Sequence, residues 1–156
     1  MSHSEIQDQA DWFMEKLQAI DRAYEEYAKA AGMTYISMTV LETIYKYQDD
    51  CTQKMICELT HYPKQSVNLV VKSFWESGFV ELRETPADRR NKFISLTGRG
   101  REYAKKKLAP LWGADESALA KLGGQRREEL LRAIELYGQS YCENIASIIR
   151  GMEEPS

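Results

Sequence analysis

Apolar positions repeat every three or four residues at both ends of this chain, whereas the middle third switches between helical and alternating spacing. Ile6, Ala10, Phe13, Leu17, Ile20, Tyr24 and Tyr27 make one long seam, and Leu130, Ile134, Tyr137, Tyr141, Ile145 and Ile148 make another. Each seam predicts a long amphipathic helix. Large exposed apolar stripes are rare on monomers, so the pair predicts terminal helices that pack together between two copies of the chain. Mutual burial of the two seams inside one monomer is the competing arrangement. Gly138 costs the last helix about 1 kcal/mol relative to Ala, and close helix approach at a dimer axis is one reason to keep it.

The middle third carries three further elements. Thr52 suits an N-cap, Met55, Ile56 and Leu59 mark an apolar side, and Thr60-His61-Tyr62 makes a short turn. A second helix is predicted with Pro63 at its first position and Gly78 just past its end. Val67, Val70, Val71 and Phe74 form its buried stripe, and Lys64, Gln65, Ser66, Asn68 and Lys72 stand on the opposite side. Two helices joined this tightly read as a helix-turn-helix. Beyond them, Phe79–Arg83 and Lys92–Leu96 read as short strands, with Pro86, Asp88 and Asn91 as turn formers between them and Arg89, Arg90 and Lys92 at the tip. A further long helix is predicted from about Gly98 to Leu122, bent at Pro110 or Gly113.

The predicted fold class is therefore mainly α with a small β-hairpin wing, a winged helix-turn-helix domain plus a helical dimerisation region. Residues 1–34 are expected to form an N-terminal dimerisation helix, 35–97 the winged helix-turn-helix, 98–151 the C-terminal dimerisation helices, and 152–156 a flexible tail.

Charge supports a nucleic-acid partner only when read by region. The 156 residues carry a net charge of −3, which taken alone argues against such a partner. From Lys64 to Lys107, however, 11 Lys and Arg stand against 5 Asp and Glu, while the rest of the chain has 10 against 19. The middle is thus +6 and the flanks −9, an arrangement that supplies phosphate neutralisation in one segment and repulsion elsewhere. Arg99, Arg101 and Lys105 to Lys107, taken alone, read as a solvated helix face. Side chains such as Gln65 and Asn68 have the length and donors to reach base edges in a major groove, and a cationic hairpin tip suits the negative potential of a minor groove.

The run Asp88-Arg89-Arg90, followed by Ile94-Ser95-Leu96-Thr97 and Gly100, resembles the wing signature of the MarR family of bacterial transcriptional regulators. Lys64-Gln65-Ser66-Val67-Asn68 resembles the start of that family's recognition helix. The resemblance implies that Arg90 enters the minor groove beside Arg89, Asn91 and Lys92, that Asp88 holds the wing through a salt bridge, and that Gln65, Ser66 and Asn68 read bases. Leu69 and Ser73 stand where many members place arginines, and Gly98 replaces a common acidic residue. The resemblance further implies a small aromatic effector held between the dimerisation helices and the winged helix, where Trp12, Tyr24, Tyr27, Met33, Tyr35 and Met38 lie. At helical spacing the same residues also read as core.

Other chemistries find no support. There is no Gly-rich phosphate loop or nucleophile elbow, and with two histidines no dedicated metal site, cofactor or enzymatic role is expected. Cys51, Cys57 and Cys142 lack CxxC spacing and fit free thiols in a reducing compartment. Cys51 precedes a helix start, which favours a redox role, but Asp49 and Asp50 beside it oppose that. No stretch approaches the roughly 20 apolar residues of a membrane span, and the acidic N-terminus is unlike a signal peptide, so a cytoplasmic protein is expected. The expected function is a homodimeric, sequence-specific repressor that binds an inverted-repeat operator in double-stranded DNA and is relieved by a small-molecule effector. The competing readings are a non-specific architectural DNA-binding protein and a regulator sensing oxidants through cysteine.

Overall fold

The computed structural model of the chain describes residues 3–84 and 92–153. They form α1 (His3–Ala30), α2 (Tyr35–Tyr47), α3 (Gln53–Thr60), α4 (Lys64–Glu76), the antiparallel hairpin β1 (Val80–Glu84) and β2 (Lys92–Leu96), α5 (Gly98–Lys121) and α6 (Gly123–Glu153). A 3-10 turn over Gln48–Asp50 links α2 to α3. The chain is mainly helical with one small hairpin, the winged helix arrangement its pattern predicts. Contacts divide it into two compact units, Met1–Leu111 and Trp112–Ser156.

The core belongs to the first unit. Met38, Val40, Leu41 and Ile44 of α2 are buried, together with Ile56 of α3, Val67, Val71 and Phe74 of α4, Val80, Ile94 and Leu96 of the hairpin, and Ala104 and Leu108 of α5. Full burial of each larger aliphatic side chain stabilises by roughly 1.5–3 kcal/mol. Helix α2 therefore acts as the central strut against which α1, α3, α4 and β2 pack. In α4 the buried residues recur at the expected helical spacing, with Val70 half-buried at the edge of the stripe.

Local signals explain where the elements stop and start. Thr34 and Thr52 cap α2 and α3, their hydroxyls accepting the N–H of Ser37 and Met55 at 3.1 Å each. Helix α4 ends in a paired-bond cap: the Gly78 N–H donates to the Trp75 carbonyl and the Phe79 N–H to the Phe74 carbonyl. Gly78 has φ +72°, a left-handed conformation that glycine adopts without strain. The hairpin register pairs Val80 with Leu96 and Leu82 with Ile94. A third strand-like contact flanks it, because Thr52 bridges Phe93 and the Ile94 N–H donates to the Cys51 carbonyl at 2.8 Å.

Several expectations need correction. Pro63 stands at the cap before α4 rather than at its first helical position, since its ψ of 139° is extended while its carbonyl already accepts the Val67 N–H. Leu59 is 49% exposed rather than core, because the short α3 fully buries only Ile56. Phe79 precedes β1 instead of opening it, its N–H being committed to the α4 cap. The long helix expected from about Gly98 is present as α5, Gly98–Lys121, with Pro110 inside it. Helix α6 reaches Glu153, two residues into the segment expected to be a tail.

Much of the terminal seams is exposed, although Ala10, Phe13, Tyr24 and Tyr27 of the α1 seam are half-buried. Ile6, Leu17 and Ile20 of α1 are exposed, and α6 has no buried residue along its described length, with Leu130, Ile134, Tyr137, Tyr141, Ile145 and Ile148 all exposed.

Candidate nucleic-acid interface

Helix α4 presents its polar side to solvent because Val67, Val71 and Phe74 fasten the other side to the core. Lys64, Gln65, Asn68 and Lys72 are exposed, and Ser66 is half-buried. The Gln53 amide donates to the Lys64 carbonyl at 3.2 Å, fixing the start of α4 against α3.

A groove of about 660 Å³ runs between α3, α4 and the hairpin. Gln53, Lys54, Lys64, Asn68, Lys72 and Lys92 line it with polar groups, and Val71, Trp75, Leu82 and Ile94 supply its apolar part. Four lysines and no carboxylate stand among these lining residues. Three of the lysines pair loosely with carboxylates outside the groove: Lys54 with Glu58 at 3.7 Å, Lys72 with Glu76 at 3.7 Å and Lys92 with Glu84 at 3.8 Å. Such exposed pairs contribute little and are readily exchanged for a phosphate. A shallower hollow of about 420 Å³ adjoins, lined by Gln53, Lys64, Gln65 and Asn68.

The structure thus brings Lys64, Asn68, Lys72 and Lys92 to one concave surface, with Gln65 beside it. Asp88, Arg89, Arg90 and Asn91, together with Pro86, lie outside the described residues. Gln53, Lys54 and Trp75 were not singled out from the sequence. For Gln53 and Lys54 a signal was present in the polar start of α3, since the first helix of a helix-turn-helix crosses the nucleic-acid backbone; for Trp75 there was none.

The base of the wing is tied to its neighbours through Thr97. Its side-chain oxygen accepts the Gly100 N–H at 2.9 Å and donates to the Gly78 carbonyl at 2.8 Å, while its N–H donates to the Phe79 carbonyl at 3.0 Å. Gly100 leaves room for this: a Cβ there would stand 1.8 Å from the Phe79 oxygen. The Phe79 ring stacks on Tyr103 with centroids 4.1 Å apart, and the Arg99 guanidinium lies 5.2 Å from the Phe79 centroid. On the hairpin, Arg83 donates to the buried Ser95 hydroxyl at 2.7 Å.

The residues expected around an effector do not share one surface. Tyr24 and Tyr35 meet with ring centroids 5.0 Å apart, their hydroxyls donating to Glu42 at 3.3 Å and Asp21 at 3.5 Å. Burial holds both hydroxyls above the ordinary tyrosine range. Met38 is fully buried and Met33 nearly so, and Tyr27 donates to the Lys107 carbonyl at 2.7 Å, so these three serve packing. Trp12 is 61% exposed beneath Lys16 and lies about 18 Å along the helix from Tyr24. An open hollow of about 340 Å³ bordered by Gln18, Asp21, Arg22, Glu25 and Tyr35 flanks α1.

Residues 31–91 match the model of the MarR family, a span that takes in the whole helix-turn-helix and the first wing strand. The winged-helix segment of the chain is thus similar to the MarR family. Among solved structures, a MarR family regulator from Neisseria meningitidis is 25% identical with a TM-score of 0.73, covering 89% of this chain and 97% of its own. A Staphylococcus aureus MarR in complex with salicylate and kanamycin is 17% identical with a TM-score of 0.71, covering 90% and 95%. S. aureus MepR, in a complex with DNA, is 15% identical with a TM-score of 0.68, covering 85% and 97%. At those lower identities the likeness is one of fold. No curated protein matches the chain by sequence. The fold of the chain is the winged helix of these regulators. Among its described residues no helix is long and apolar enough to cross a membrane, and no cluster of three or more His, Cys, Asp or Glu could hold a metal ion.

Proposed function

We propose that this chain is a homodimeric, sequence-specific DNA-binding repressor of the MarR type whose operator is an inverted repeat. The observation that carries the reading is the lysine-lined groove between α3, α4 and the hairpin, which meets the exposed Gln65 and Asn68 and has no carboxylate among its lining residues. Lysines of this kind neutralise phosphates and fix register, and the amides of Gln65 and Asn68 suit adenine edges in a major groove. Arg90 enters the flanking minor groove with Arg89, Asn91 and Lys92 on the backbone, and Asp88 buttresses the wing. The DNA-bound MepR relative supports this use of the fold.

The exposed residues of the α1 and α6 seams support dimerisation through the terminal helices. Two-fold symmetry then sets two recognition helices about one DNA turn apart, roughly 34–36 Å. A salicylate-bound relative supports relief by a small aromatic effector.

The test is selection of bound sequences from a random DNA pool, followed by affinity measurement across a salt series. An inverted repeat should be enriched. Lys64→Ala and Lys72→Ala should weaken binding to all sequences alike, each lowering the salt slope by about 1, and Arg90→Ala should cost roughly 1–3 kcal/mol. No enrichment, or binding that ignores salt, would overturn the reading.

A further inference from the structure

We propose that Leu69 is a specificity-determining residue that reads the C5-methyl group of a thymine in the major groove, resting on the DNA-binding function proposed above. Helix α4 turns by about 100° per residue, and its buried arc is centred on Val67, Val71 and Phe74. The direction opposite that arc falls between Gln65 and Leu69, which sit one turn apart. Leu69 therefore occupies the middle of the outward face, flanked by the exposed Gln65, Lys72 and Ser73. It is 68% exposed, more than any other apolar side chain of α3, α4 or the hairpin in the described residues, and it does not line the groove beside the hairpin.

A single exposed leucine is ordinary on a protein surface. One whose neighbours on the face are Gln65, Ser66, Lys72 and Ser73, with Glu76 only at the far end of the helix, is different, because each of those neighbours can engage phosphate or base polar groups and Leu69 can engage neither. The apolar group that a major groove offers is the thymine methyl, which alone distinguishes that edge by a hydrophobic contact. Helical rise places Leu69 about 6 Å beyond Gln65, within two base-pair steps of roughly 3.4 Å. If Gln65 reads an adenine, the thymine stands within two base pairs of it.

The experiment uses the full-length protein and the sequence enriched by wild type from a random pool. Each thymine of one half-site is replaced in turn by deoxyuridine, which removes only the methyl group and leaves pairing intact. Wild type should lose about fourfold in affinity at one position, the worth of one buried methyl group. Leu69→Ala should bind the thymine and deoxyuridine versions equally at that position and keep wild-type sensitivity to mutation of the adenine read by Gln65. Leu69→Ser, with the same fold by circular dichroism, should behave alike. A flat deoxyuridine scan with wild type, or an unchanged scan with both variants, overturns the assignment while leaving DNA binding in place. Failure to enrich any sequence overturns the DNA-binding reading itself, and with it this one.

Discussion

Cys51 shows how a residue's surroundings decide its chemistry. Its side chain is fully buried behind the hairpin, and burial pushes its thiol up to about 12, so it is a neutral packing group near pH 7. Cys57 is half-buried and Cys142 exposed. A thiol whose folded pKa is raised stabilises the fold fully below its unfolded pKa of about 8.5, and that contribution is lost as pH rises towards 12. The Tyr24 and Tyr103 hydroxyls, also raised by burial, act in the same direction. The melting temperature should therefore hold steady around neutrality and fall on the alkaline side, with a shallower initial fall in Cys51→Ala. At neutral pH a thiol reagent should modify Cys142 readily and leave Cys51 untouched until the protein unfolds; equal labelling of the two would contradict the buried placement.

At the scale of elements, the tightest fit is the start of α5 against the turn that follows α4. Gly100→Ala would drive a methyl group into the Phe79 carbonyl, a backbone atom that cannot step aside, and should destabilise by about 3 kcal/mol. Gly98→Ala meets nothing within 4 Å and should leave stability unchanged or slightly higher. Thermal melts of the two variants measure the contrast, and equal melting points would show that α5 does not approach Phe79 as described. Much of this layout was legible in the sequence, because its signals are local. Thr52 caps, Gly78 terminates, and the spacing of Val67, Val71 and Phe74 assigns the two sides of α4. Pro63, Leu59 and Phe79 were misplaced by one position or one face, because each is decided by partners distant along the chain or by competition for a single N–H. The lysine groove was only half visible, since Lys54 and Trp75 join Lys64 and Lys92 through tertiary packing that no periodicity records. Met38 read equally as core or pocket until α2 proved to be the strut of the first unit.

For the whole molecule, the proposed dimer accounts for the exposed apolar residues of α1 and α6. Ile134→Asp places a charge in the α6 seam, far in sequence from every proposed DNA contact. Sedimentation should show loss of the dimer, and a band-shift assay should show loss of operator binding, because one helix and one wing cover too little duplex for tight specific association. A folded monomer that still bound the operator with wild-type affinity would refute the arrangement.

The Thr97 junction has a mechanical meaning. Strand β2 ends at Leu96 and α5 begins at Gly98, so one residue connects them, and its hydroxyl is bonded to both the new helix and the turn ending α4. No slack remains there to absorb a tilt. The hairpin, the end of α4 and the first turn of α5 are thereby held to one another through a single residue. A tilt of the first turns of α5 would carry the base of the hairpin and the end of α4 with it, and a short flexible spacer inserted after Leu96 would uncouple them.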